Sequence, residues 1–263
     1  MYLLLICVSL VLYKMSKTFR FYTKFGIYFL YTNILSLFLL PIFICLPRSE
    51  KNLLTVALVF APITKAMGVS WEIRGREHLE QERSCIVIMN HQSLLDCVGL
   101  YQIWPFLKKS TIISRRIIFY IWPSGLICWF GKVIFINRMK SNLARKILND
   151  ATDYIKEKKM KLLIFPEGTR RNNGEIHAFK KGAFYIAIRN QLPIIPVVFS
   201  SYYNFLSNEE KRFDSGRVIV EALPAISTEG LTLDDINKLL EKTRNSMIDT
   251  FEKINKEVQV KCF

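Results

Sequence analysis

Before Glu50 the chain has no acidic residue, and over its 263 residues it has only 11 glycines and three histidines. So little glycine excludes a collagen-like repeat. The six cysteines (Cys7, Cys45, Cys85, Cys97, Cys128, Cys262) form no C-x-x-C pair and no zinc spacing, and no triad of metal ligands is visible. That excludes a small disulfide scaffold and a zinc finger, and the cysteines are expected to be reduced and mostly buried. No heptad is sustained, which excludes a coiled coil, and there is no internal repeat or low-complexity linker. G-x-S-x-G is absent, which removes the nucleophile elbow of a serine hydrolase. RNP and helix-turn-helix signatures are absent too, so the basic excess does not point to nucleic acid.

Hydrophobic residues make up 51% of the chain and charged residues 22%. Disorder is excluded at that apolar content, and the length suits one α/β domain with a small accessory region. Lys and Arg number 37 against 22 Asp and Glu, a net charge of +15. Such an excess attracts anionic headgroups and phosphorylated substrates.

The apolar residues are concentrated at the start. Residues 1–13 are apolar apart from Ser9, a basic stretch with Lys14, Lys17, Arg20 and Lys24 follows, and residues 27–46 carry no charge. Twenty residues at about 1.5 Å each just cross a hydrocarbon core of about 30 Å; thirteen do not. No basic region precedes the first run and no small-residue cleavage site follows it, so a cleaved signal peptide fits poorly. Buried core helices are the alternative, disfavoured by the length of the charge-free run. Pro41 invites a kink in the second run. The expectation is residues 1–50 as membrane-embedded helices, lying in one leaflet or crossing once, with the basic stretch as the loop between them.

After residue 70, strand and helix patterns alternate. Residues 85–89, 133–136, 162–165, 194–199 and 218–220 read as strands; residues 141–159, 183–189 and 233–254 read as helices, the last with Thr232 as N-cap. This predicts an α/β fold, a mostly parallel central sheet flanked by helices, over residues 51–263. Ligands in such sheets bind beyond the carboxyl ends of the strands. Three polar clusters fall there: Asn90-His91, Asn137-Arg138, and Pro166-Glu167-Gly168-Thr169-Arg170.

His91 can take a proton near neutral pH, and Asp96 can hold its ring if Asp96 sits in the first turn of a helix and points back. Spacing alone leaves a second reading open, a histidine at a helix start with Asp96 near its positive end. Gly168 allows close approach of backbone to a ligand, Arg170 offers a planar fork suited to phosphate, and Glu167 can hold that Arg or the loop. A plain surface turn remains the alternative. Arg138, with Lys180 and Lys181 as weaker additions, completes the cationic set, while His78 and His177 are expected to be partnerless surface residues.

Together these stretches resemble the glycerolipid acyltransferase family over about residues 70–225. Asn90-His91-Gln92-Ser93-Leu94-Leu95-Asp96 matches its His-x4-Asp motif, residues 131–138 its second motif, residues 165–170 its Pro-Glu-Gly-Thr-Arg motif and residues 192–197 its fourth. Further stretches, including Ser200-Ser201-Tyr202, are similar to animal lysophosphatidate acyltransferases of the alpha/beta type. The resemblance implies an enzyme moving an acyl group from acyl-CoA to the sn-2 hydroxyl of lysophosphatidic acid, giving phosphatidic acid for phospholipid and triacylglycerol synthesis. It implies His91 and Asp96 as the catalytic pair. Arg138, Glu167, Gly168, Thr169, Arg170 and Lys180 would bind substrate, with backbone donors near Gly168 holding the oxyanion. No cofactor, metal, nucleic acid or obligate protein partner is implied, and the location implied is the endoplasmic reticulum membrane with the catalytic domain facing the cytosol. Two other functions stay open: an acyltransferase for glycerol-3-phosphate or another lysophospholipid, and a non-enzymatic lipid-surface protein.

Overall fold

The computed structural model describes residues 2–137 and 152–260. Seven strands form the central sheet: β1 (Val69–Arg74), β2 (Cys85–Met89), β3 (Ser110–Arg115), β4 (Ile134–Ile136), β5 (Lys161–Ile164), β6 (Ile194–Phe199) and β9 (Gly216–Ala222). Their order is β1-β9-β6-β2-β5-β3-β4, and every neighbouring pair is parallel except β6 and β9. The expected mostly parallel sheet is therefore present. The strands β7 (Leu206–Ser207) and β8 (Arg212–Phe213) form a separate hairpin.

Side chains of the central strands divide between the two faces at the period of two that a strand imposes. Cys85, Val87 and Met89 enter one hydrophobic cluster, Ile86 and Ile88 the other. Ile195, Val197 and Phe199 of β6 follow the first, Ile194 and Val198 the second. Burying each Val or Ile contributes about 1.5–3 kcal/mol. Helices α3 (Lys51–Phe60), α4 (Ile63–Met67) and α6 (Leu95–Leu107) supply the first face, and the helices Gly182–Arg189 and Ile236–Val260 the second. Gly99 in α6 permits the close fit, since a Cβ there would stand 2.6 Å from Phe199 and 2.8 Å from Trp71.

The N-terminal helices are α1 (Tyr2–Met15) and α2 (Lys17–Cys45). The basic stretch between the apolar runs is not a loop. Lys17, Arg20 and Lys24 lie in the first turns of α2, which Ser16 caps by accepting the Phe19 N–H at 3.2 Å. The reason is tertiary. Arg20 pairs with Asp214 at 2.8 Å, and Lys24 Nζ donates to the Asp214 carbonyl at 3.0 Å. At 29 residues α2 is long and apolar enough to cross a membrane. One face packs on the domain through Phe21, Tyr28, Ser36, Leu39 and Phe43, while Leu30 and Phe38 face outward.

Other expectations fare unevenly. Among the described cysteines no disulfide forms, but only Cys85 is buried; Cys7 and Cys45 are exposed because they lie on α1 and at the end of α2. The helix expected over 141–159 lies partly outside the described residues, of which 152–157 are helical. The C-terminal helix starts as expected: a 3-10 turn Leu233–Asp235 leads in, and Asp235 accepts the Thr232 N–H at 2.9 Å.

Candidate active site

β2 ends at Met89, and the loop from Asn90 to Leu94 leads into α6. The loop is tied to the neighbouring strand β6. Asn90 donates to the Phe199 carbonyl at 3.0 Å and accepts its N–H at 2.8 Å, so one amide replaces two backbone partners. Gln92 donates to the Ser200 carbonyl at 3.0 Å and accepts the Tyr202 N–H at 3.1 Å.

Asp96 sits in the first turn of α6 and points back, the geometry that the catalytic reading requires. His91 Nδ1 lies 2.7 Å from Asp96 Oδ2. The same oxygen accepts the N–H groups of Gln92 at 2.9 Å and Ser93 at 3.1 Å. Three donors on one oxygen fix the carboxylate's orientation under the ring. Asp96 is 1% exposed and His91 16%, so the carboxylate is sealed while the ring reaches solvent. His91 also stacks on Phe165, ring centroids 4.1 Å apart and 24° from parallel. With Nδ1–H spent on Asp96, Nε2 is the basic nitrogen.

The turn after β5 lies alongside. Glu167, expected to touch substrate, instead faces inward and is 7% exposed. Its Oε1 accepts the His91 backbone N–H at 2.7 Å, and its Oε2 accepts the His177 N–H at 3.3 Å. With the Arg171 N–H donating to the His91 carbonyl at 3.2 Å, the turn grips the histidine's backbone from both sides. Burial raises the Glu167 carboxyl to about 7, against the pull of those two N–H bonds. Glu167 is thus a positioning residue. Gly168 takes φ 72°, the left-handed region where glycine is at home. Its N–H donates to the Phe165 carbonyl at 3.2 Å, which closes the turn.

Thr169 and Arg170 are exposed at the tip of the turn. Burial pushes the Cys97 thiol up, and the Arg170 guanidinium pulls it back. His91 and Asp96 are in contact, and Arg170 follows Glu167 by three residues in the turn that holds the His91 backbone. Lys180 is exposed and tied only through its N–H, which donates to the Pro166 carbonyl at 2.9 Å. Arg138 lies outside the described residues. His177, expected to be partnerless, binds Asn173 Oδ1 through Nε2 at 2.8 Å. No group of three or more metal-ligating side chains occurs among the described residues.

Comparison with known proteins agrees with this geometry. The family model described as Acyltransferase matches residues 70–200. Human 1-acyl-sn-glycerol-3-phosphate acyltransferase beta is 35% identical over 95% of this chain and 90% of its own. Its human alpha relative is 33% identical over 91% and 84%. The crystal structure of the 1-acyl-sn-glycerophosphate (LPA) acyltransferase PlsC from Thermotoga maritima superposes with a TM-score of 0.63, covering 89% of this chain and 95% of that one at 20% identity. The last match bears on fold alone; the two human relatives, with the His91–Asp96 pair and the turn that grips it, identify the chain as an enzyme of the 1-acyl-sn-glycerol-3-phosphate acyltransferase family.

Proposed function

We propose that the chain transfers an acyl group from acyl-CoA to the sn-2 hydroxyl of lysophosphatidic acid, forming phosphatidic acid at a membrane surface. The single observation that carries the chemistry is the 2.7 Å contact between His91 Nδ1 and Asp96 Oδ2, which leaves Nε2 for the hydroxyl.

His91 Nε2 takes the hydroxyl proton as the oxygen attacks the thioester carbonyl. The imidazolium that forms is held by the Asp96 carboxylate, whose Oδ2 is fixed by the Gln92 and Ser93 N–H groups. The carbonyl oxygen becomes an oxyanion, and we assign it to amides of the 165–170 turn beyond Gly168, whose own N–H is spent on Phe165. Collapse breaks the carbon–sulfur bond, and Nε2 returns its proton to the departing thiolate. The donor is already activated as a thioester, so no covalent acyl-enzyme is required. Arg170, and Arg138 on the side of the resemblance, hold the acceptor phosphate.

The lipid substrates suit a membrane location, and α2 is the helix long and apolar enough to provide it. With the basic excess of the chain, this favours an anionic cytosolic leaflet, and the family likeness favours the endoplasmic reticulum. No cofactor, metal or obligate protein partner is required by this scheme. The test is thiol release from acyl-CoA by purified protein with lysophosphatidate, glycerol-3-phosphate or lysophosphatidylcholine as acceptor. The reading expects turnover with lysophosphatidate to exceed that with the other two. Equal or greater turnover with either competitor overturns the acceptor assignment.

A further inference from the structure

From the last residue of β3 to the start of α7 (Ser124–Phe130) the chain reads Arg115-Arg116-Ile117-Ile118-Phe119-Tyr120-Ile121-Trp122-Pro123. Its 3-10 helix, Arg116–Tyr120, buries none of its residues. Ile117 is 60% exposed, Tyr120 61% and Trp122 65%, with Arg115 and Arg116 exposed beside them. So dense a run of exposed large apolar side chains marks an interaction surface. Its mixture also narrows the partner: Trp and Tyr favour the headgroup level of a bilayer, and arginines meet lipid phosphates.

The segment is joined to the apolar helix α2. Ser124 donates to Asn33 Oδ1 at 3.2 Å and lies 3.4 Å from Ser36 Oγ, both on α2. A Cβ on Gly125 would stand 2.3 Å from the Phe119 carbonyl oxygen, so α7 is seated directly on the 3-10 turn. At the other end of α7, exposed Arg48 stacks over Trp129 at 4.4 Å, just past the end of α2. An exposed stripe on α2 (Ile27, Leu30, Ile34, Phe38, Ile42) recurs at helical spacing.

We propose that residues 117–122 form a second lipid-contact segment, entering the interface of the leaflet that receives α2, with Arg115 and Arg116 against anionic headgroups. The proposal rests on the membrane reading of α2. Its test is Trp fluorescence of the full chain in phosphatidylcholine–phosphatidylserine vesicles carrying brominated acyl chains. The native chain, W122F, and a W122F/Phe38→Trp variant are compared. The proposal expects W122F to lower the bromolipid-quenched fraction and Phe38→Trp to restore it. If W122F leaves that fraction unchanged while Phe38→Trp raises it, the segment faces water or a protein and the proposal fails, the membrane reading of α2 surviving. If the Phe38→Trp indole is not quenched either, both fail.

A separate observation concerns the dyad. Tyr202 is fully buried, yet its hydroxyl makes no hydrogen bond among the described residues, and neither does the buried Asp96 Oδ1. Buried polar atoms rarely stay unpaired. Burial pushes the Tyr202 phenol up, and the Asp96 carboxylate adds to that push. The backbone already links them: the Tyr202 N–H donates to Gln92, whose own N–H donates to Asp96.

We infer that Tyr202 is a positioning residue, its phenol donating to Asp96 Oδ1 and fixing the carboxylate under His91. Tyr202→Phe is expected to lower kcat about tenfold, the scale of one hydrogen bond to a charged group, with KM for either substrate and Tm little changed. In a double-mutant cycle with Asp96→Asn its effect shrinks. An unchanged kcat, or losses that simply multiply in the cycle, overturns the assignment.

Discussion

Replacing Asp96 by Asn separates two ways in which the carboxylate can serve His91. Oδ2 accepts from three donors: His91 Nδ1, Gln92 N–H and Ser93 N–H. An asparagine NH2 group in that place would face two backbone donors, each losing its acceptor in a buried site. At about 1–3 kcal/mol per unpaired donor, that orientation is disfavoured by about 2–6 kcal/mol. The asparagine carbonyl therefore keeps the Oδ2 position, His91 keeps its Nδ1–H acceptor, and Nε2 stays basic. What is lost is the negative charge. A hydrogen bond to a charged group contributes about 1.5–3 kcal/mol and a neutral one about 0.5–1.5, so the imidazolium loses about 1–2 kcal/mol. That corresponds to a fall of roughly 5- to 30-fold in kcat. A reversed ring tautomer would instead cost on the order of 10⁴, the loss known for the equivalent change in the Ser-His-Asp triad. Steady-state thiol release with lysophosphatidate measures the difference. A fall near 10⁴, or none, would refute the reasoning from the three donors.

Glu167→Gln should abolish one pH dependence. Burial pushes the carboxyl up to about 7 in the fold from its ordinary 4.5, so the unfolded chain gives up its proton first and stability falls as pH rises between those values. The slope amounts to at most about 3 kcal/mol, and urea midpoints across that pH range should flatten in the variant. Gly168→Ala forces a side chain into the left-handed region and should cost about 1–2 kcal/mol, read as a lower Tm, with kcat falling because the turn also holds His91. Arg170→Ala should raise KM for lysophosphatidate about tenfold or more and alter kcat less; unchanged kinetics would remove its phosphate role.

What the sequence displays of the fold follows from burial. β2 and β6 are buried at every position and read as apolar runs. β1 (Val-Ser-Trp-Glu-Ile-Arg) mixes polar residues into partly exposed positions and β3 (Ser-Thr-Ile-Ile-Ser-Arg) opens with the buried polar pair Ser110 and Thr111, so neither run stands out. The basic start of α2 reads as a loop because its partner Asp214 lies far along the chain. Sequence spacing allows the His91–Asp96 contact without requiring it, and the helix start at Leu95 makes the contact local. The role of Glu167 is hidden for the opposite reason: its partners are backbone N–H groups, which any residue carries. Phe165 and Tyr202 look like ordinary core aromatics until the first is found stacked on His91 and the second tied through Gln92 to Asp96.

Thiol release from acyl-CoA in the presence of lysophosphatidate, compared between the native chain and His91→Ala in the same vesicles, tests the central claim most directly. The account predicts that the variant binds the vesicles as the native chain does and releases no thiol above background. Release by the variant at a substantial fraction of the native rate would contradict it.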